Sequence, residues 1–143
     1  MIITFFGHRD FRKGNELKAK VLSILEEYGK SEPIEFFLGG HGSFDVFAHS
    51  CAKEYKKQHP DTKLIFVTPY LNENYLKRHS SGYDETLFPD LEKTLPQFRI
   101  IKRNEYMVDK ADIIITFVTV KCGGAYNTSE YARKKSKTII NLA

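Results

Sequence analysis

Ile34-Glu35-Phe36-Phe37-Leu38-Gly39-Gly40-His41-Gly42-Ser43-Phe44 is the stretch on which the reading of this chain turns. A short apolar run passes through glycines into Phe44, Phe47, Ala48, Cys51, Ala52 and Tyr55, which recur at i, i+3, i+4, i+7, i+8 and i+11. That spacing lines one face of a helix, and Asp45, His49, Lys53 and Lys56 fall on its polar face. A strand that turns on glycine into a helix is half of a β-α-β crossover, the unit from which parallel sheets are built.

The same alternation continues on both sides. Strands are expected at Ile2 to Phe6, Ile34 to Leu38, Leu64 to Val67, Arg99 to Ile101, Ile113 to Val118 and Thr138 to Leu142. Most are apolar throughout, as strands covered on both faces should be. Leu17, Val21, Ile24, Leu25 and Tyr28 predict a helix between the first two, with Gly29 as its stop. A short helix carrying Tyr106, Met107 and Ala111 inward is expected after Ile101. The stretch from Thr68 to Phe98, with Pro69, Pro89 and Pro96, reads as irregular structure with one or two helical turns, the form of a lid, a binding loop or an insertion. The expectation is a three-layer α/β Rossmann-like fold, one domain over residues 1 to 143, with a mainly parallel sheet of about six strands and a ligand crevice at their C-terminal edge.

Composition narrows the class. At 143 residues with 41% hydrophobic and 28% charged side chains, the chain can bury a real core. No segment approaches the roughly 20 apolar residues of a membrane span. The first residues enter a strand without a basic lead or cleavage site, and only Cys51 and Cys122 are present, so a reducing cytoplasm is expected. The net charge of +4 is spread along the chain, which favours mild attraction of anions over a dedicated nucleic-acid surface. Histidines, cysteines and carboxylates do not stand at metal-ligand spacings, and no Gly-Lys-Ser/Thr phosphate loop or nucleophile elbow is present.

Three segments carry candidate chemistry. Gly7-His8-Arg9-Asp10 closes the first strand: His8 could meet a phosphate or base and Arg9 could fork onto an anion, or Arg9 and Asp10 could pair with each other. Gly39, Gly40, His41, Gly42 and Ser43 form a turn at a helix start, either a phosphate cradle or a tight turn capped by Ser43. Gly123 and Gly124 repeat the logic after the fifth strand. There Asn127 is a candidate N-cap with Glu130 three residues on as its capping-box partner, Thr128 stands beside it, and Glu130 is alternatively a reactive carboxylate. Arg103 is either a site cation or a solvated arginine beside Lys102, while His49, His59 and His79 read as surface histidines.

These residues, in this order, resemble the SLOG superfamily, the Rossmann-like domains that include the Lonely-guy (LOG) nucleoside-monophosphate phosphoribohydrolases and the DprA-like proteins. The resemblance spans nearly the whole chain, and Arg103-x-x-x-Met107 followed by Gly123-Gly124 and Glu130 matches the LOG motifs in order and spacing. Cys122 replaces that loop's proline, Tyr126 stands where its third glycine belongs, and Asn127 occupies its threonine position. The resemblance implies glycine loops that hold a 5′-phosphate, Glu130 on a ribose, Arg103 stabilising charge as an N-glycosidic bond breaks, no metal or cofactor, and a homodimer. The expected function is binding of a nucleotide or nucleotide-derived phosphorylated ligand, as a sensor or processing domain. A phosphoribohydrolase is the alternative, and single-stranded nucleic-acid binding is the least favoured.

Overall fold

The computed structural model describes residues 1 to 143. Six strands, β1 (Ile2–Gly7), β2 (Glu35–Leu38), β3 (Lys63–Val67), β4 (Glu85–Leu87), β5 (Ile113–Phe117) and β6 (Thr138–Asn141), form one all-parallel sheet in the order β4-β3-β2-β1-β5-β6. Helices α1 (Gly14–Tyr28) and α2 (Gly42–Gln58) cover one face, while α4 (Arg99–Lys110) and α5 (Gly124–Lys134) cover the other. The short α3 (Glu73–His79) lies between β3 and β4. The result is the expected three-layer Rossmann-like fold. No helix is long and apolar enough to cross a membrane.

The strand alternation explains the two cores. Ile3 and Phe5 of β1, Phe36 and Leu38 of β2, and Ile113, Ile115 and Phe117 of β5 point toward Val21, Leu25, Phe44 and Ala48 of α1 and α2. Their in-between neighbours Phe6, Phe37 and Ile114 meet Met107 and Val108 of α4 and Ala132 of α5. Each strand therefore hides side chains of both parities, which is why these runs are apolar without a period of two.

Two expectations are corrected. Arg99 to Ile101 is not a strand but the first turn of α4. The 3-10 turn Pro96–Phe98 leads into it, and Arg99 donates from Nε to the Thr94 carbonyl at 3.0 Å, fastening the preceding loop. The buried residues Arg103, Met107 and Val108 follow helical spacing, and Ile101 is 55% exposed, the opposite of a doubly covered strand. The sixth strand comes instead from the 68 to 98 stretch, as β4 at the sheet edge beside β3. Asp84 fixes its register: its amide donates to the Leu64 carbonyl at 2.8 Å, and its carboxylate accepts the Leu64 amide at 2.7 Å and the Lys56 ammonium at 2.7 Å.

Candidate ligand site at the switch point of the sheet

In a parallel sheet every strand ends on the same edge. From β1 the chain winds outward through β2, β3 and β4, then returns across α4 to β5 on the other side of β1. Loops after β1 and β5 therefore diverge and leave a crevice between them, the ordinary ligand position of open α/β sheets. A cavity of about 370 Å³ sits there. The β1 loop lines it with Gly7, His8, Arg9 and Asp10, the β2 loop and α2 with Gly39, His41 and Asp45, α4 with Ile100, Arg103 and Asn104, and the start of α5 with Gly123, Gly124, Ala125 and Thr128. Four segments far apart in sequence, three singled out for their glycines and one for Arg103, thus meet in one place. Gly40, Gly42, Ser43, Asn127 and Glu130 do not line it.

Arg103 is not a solvated surface cation. It is 2% exposed, and its Nη1 donates to the Gly39 carbonyl at 3.0 Å and the Val67 carbonyl at 2.7 Å, while Nε donates to Asn104 Oδ1 at 2.9 Å. One guanidinium therefore ties together the chain ends leaving β2 and β3, and its Nη2 has no partner in the protein. A Cβ at Gly39 would stand 3.2 Å from Arg103 Cζ and Nη2, so glycine at 39 makes room for the guanidinium. Burial lowers the Arg103 pKa from the ordinary arginine value, and the nearby Asp45 carboxylate works against that shift.

Around the β2 turn the cap differs from the expected one. Ser43 does not cap α2: its hydroxyl and its amide both donate to the Arg9 carbonyl, binding the helix start to the β1 loop. The capping acceptor is Asp45, whose Oδ2 takes the His41 amide N–H at 2.6 Å. Gly40, at φ +71°, holds the left-handed turn that makes this possible, where any side chain would be strained. His41 Nε2 meets the Tyr75 hydroxyl of α3 at 2.7 Å, and Tyr75 packs on His79 with ring centroids 4.4 Å apart. The segment between β3 and β4 thus buttresses the turn. His79 belongs to this aromatic wall, His49 stacks on Tyr83 at 4.1 Å, and His59 stacks on Tyr55 at 4.1 Å while pairing with Glu26, so none of the three is an ordinary surface histidine.

Burial sets the charges here. It pushes the Asp45 carboxyl up to about 6, against the His41 amide and Arg103, and it pulls the His41 imidazole down to about 4, helped by Arg103, His79 and Arg9. The two have opposite linkage. A carboxyl raised on folding favours the folded state at low pH, and that stability is lost as pH rises through about 6; a depressed imidazole contributes stability above about 6.5 that is lost as pH falls toward about 4. They oppose each other across one window. Asp45→Asn removes the carboxyl's contribution and keeps the imidazole's, so its unfolding free energy should fall more steeply than the wild type's on acidification from pH 6.5 to 4.5, by about 1–2 kcal/mol, the contribution of the missing carboxyl. Parallel pH profiles would contradict this balance.

At the start of α5, Gly123 adopts φ +90°, a conformation that favours glycine, and acts as N-cap with no side chain on the helix end. The amides of Gly124, Ala125 and Tyr126 open the helix without intrahelical partners, since the first such bond is from Asn127 to the Gly123 carbonyl at 3.0 Å. Nothing lies within 4 Å of where a Cβ would stand at Gly123 or Gly124. An anion can approach these amides directly. Thr128, one turn on, lines the cavity with its hydroxyl bonded to the Gly124 carbonyl at 2.9 Å.

The capping box expected here is absent. Asn127 lies one turn inside the helix, and Glu130 does not reach back: its Oε2 accepts from Arg133 Nη2 at 2.7 Å and Nε at 3.1 Å, outside the cavity wall. Nor do Arg9 and Asp10 pair. Arg9 stands exposed at the mouth, while His8 Nε2 accepts the Thr119 amide N–H at 2.9 Å and pins the two diverging loops together. The carboxylate that the sequence reading missed is Asp45, placed there on the polar face of α2. Its signal was position: a carboxylate four residues after a turn residue can reach back to that residue's amide.

The fold has known counterparts. DNA processing protein A from Streptococcus pneumoniae superposes on 96% of this chain with a TM-score of 0.67 at 20% identity. Its counterpart from Helicobacter pylori, whose structure describes a single-stranded DNA binding mode, superposes on 97% with a TM-score of 0.64 at 15% identity. The likeness to both is one of fold. The chain spans 48% and 63% of those two proteins. In sequence it is 29% identical over 139 residues to the uncharacterized SPbeta prophage-derived protein YoqJ of Bacillus subtilis, covering 81% of that protein. No family model matches the chain.

Proposed function

We propose that this SLOG-type domain binds a nucleotide or nucleotide-derived phosphorylated ligand in the switch-point cavity, as a sensor or processing domain. The observation that carries the reading is the open, uncapped start of α5 facing the same cavity as the free Nη2 of buried Arg103. Three unpartnered helix amides and a fixed guanidinium are complementary to phosphate oxygens, and Arg9 at the mouth adds an exposed cation. The polar groups His41, Asp45 and Asn104, which also line the cavity, are partners for the rest of the ligand.

Binding does not require Glu130, whose carboxylate is occupied by Arg133. A phosphoribohydrolase using Glu130 would have to free it first, so the binding reading ranks above the hydrolytic one. A second reading, contact with single-stranded nucleic acid, draws on the Helicobacter pylori neighbour alone. One panel separates the three. Nucleoside 5′-monophosphates at about 100 times their dissociation constant should stabilise the protein by roughly 2.7 kcal/mol in thermal unfolding, without release of free base. Base release abolished by Glu130→Ala would install the hydrolase instead, and stabilisation by an oligothymidylate but by no mononucleotide would install the nucleic-acid reading.

A further inference from the structure

The structure assigns Asp45 as the residue that selects the ligand's sugar: with Arg103 across from it, it holds a vicinal pair of hydroxyls, so that the preferred ligand is a ribose 5-phosphate compound over its deoxy counterpart. This rests on the phosphate reading above and deepens it.

Asp45 is a cavity-lining carboxylate set on a rigid element, in the first turn of α2. Only one of its oxygens is used: Oδ2 accepts the His41 amide, and Oδ1 has no donor from the protein. The obvious partner declines it. Arg103 lies close enough to influence the Asp45 charge, yet no nitrogen of its guanidinium comes within ion-pair distance of the carboxylate, because Nη1 and Nε are committed to Gly39, Val67 and Asn104. The cavity wall therefore presents an acceptor without a donor and, at Arg103 Nη2, a donor without an acceptor.

A phosphate alone satisfies only the second of these and repels the first, whereas the two unused hydrogens of Nη2 can serve the phosphate and one hydroxyl together. An apolar group satisfies neither. A hydroxyl both donates and accepts, so a pair of neighbouring hydroxyls can donate to Asp45 Oδ1 and accept from Arg103 Nη2. The other acidic groups do not compete for this role: Glu130 is held by Arg133 outside the wall, and Asp10 is exposed at the mouth. Since burial already raises the Asp45 carboxyl, a hydroxyl donor is also the partner that offsets the cost of its charge.

The test is calorimetric titration of the wild type and Asp45→Asn with ribose 5-phosphate, 2-deoxyribose 5-phosphate and inorganic phosphate. Asparagine keeps an acceptor for the His41 amide but turns a donor toward the cavity. The wild type should bind ribose 5-phosphate about 10-fold or more tightly than the 2-deoxy sugar, and Asp45→Asn should lose that preference while binding inorganic phosphate at least as tightly as the wild type. Should the variant fail to fold, the two sugars against the wild type decide alone. A wild type that binds both sugars equally, or a folded variant that keeps the preference, overturns the assignment and leaves the phosphate reading standing. A wild type that binds none of the three probes overturns both.

Discussion

Arg103→Ala is expected to lower the unfolding free energy by about 3–5 kcal/mol, a large share of a domain's total stability. The side chain is buried and holds the Gly39 and Val67 carbonyls on neighbouring strand ends, so its removal leaves both oxygens without a donor and opens a hole beneath the cavity. Arg103→Lys should recover part of this, since an ammonium can serve one carbonyl but cannot hold two carbonyls and Asn104 in one plane. Urea unfolding read by circular dichroism checks both variants. A loss below about 1 kcal/mol for alanine would mean that the strand ends find other donors, and the guanidinium would then be free to serve the ligand alone.

Gly7→Ala should be nearly as damaging, for a reason of shape. A Cβ at position 7 would stand 2.2 Å from Phe44 Cγ and 2.4 and 2.7 Å from its two Cδ atoms, so the ring lies flat over the glycine. Phe44 cannot step aside: it is fully buried, edge-to-face with Phe11 at 5.0 Å, and near Phe47 at 5.8 Å and Phe5 at 6.4 Å. Overpacking of this kind costs typically about 1–3 kcal/mol, and the rigid ring places this case at or above the upper end. Gly124→Ala is the control, because nothing lies within 4 Å of its added methyl, and its stability should stay within about 0.5 kcal/mol of the wild type or rise. Equal losses from the two substitutions, measured by thermal unfolding, would contradict the packing account.

Gly7 also bears on how the sequence is read. A glycine at a strand end suggests close approach of a ligand, and Gly7 does line the cavity, yet its missing side chain makes room for Phe44, as that of Gly39 does for Arg103. Only Gly123 and Gly124 are bare toward open space. Local sequence cannot separate these cases, because the group that fills the space comes from another element.

Five of the six strands were legible because β1, β2, β3 and β5 are largely apolar runs and β6 carries Ile139 and Ile140 with Leu142 beyond them. β4 was not: Glu85-Thr86-Leu87 is three residues long, exposed at the edge, and held by Asp84 and the pairing to β3 more than by its own composition. Arg99-Ile100-Ile101 imitated a strand through its β-branched residues, while the helical period that overrides them begins only at Arg103 and runs through Met107 and Val108.

The site was legible as three segments but not as a set of contacts. Its glycine turns and Arg103 do converge, because parallel strands all deliver their ends to one edge. Asn127 and Glu130 matched a capping pattern that the backbone of Gly123 makes unnecessary, and Arg133, one turn beyond Glu130, claims its carboxylate. Asp45 was hidden by its type, since a carboxylate on a helix is ordinarily turned to water.

The proposed phosphorylated, nucleotide-like ligand would sit at the start of α5 above Arg103. Titration of the isotope-labelled protein with adenosine 5′-monophosphate, followed through backbone amides by NMR, checks that placement. Saturable shifts should appear at Gly124, Ala125 and Tyr126 together with the turn from Gly39 to His41. Saturable shifts confined to another face of the molecule, or none at millimolar ligand, would contradict it.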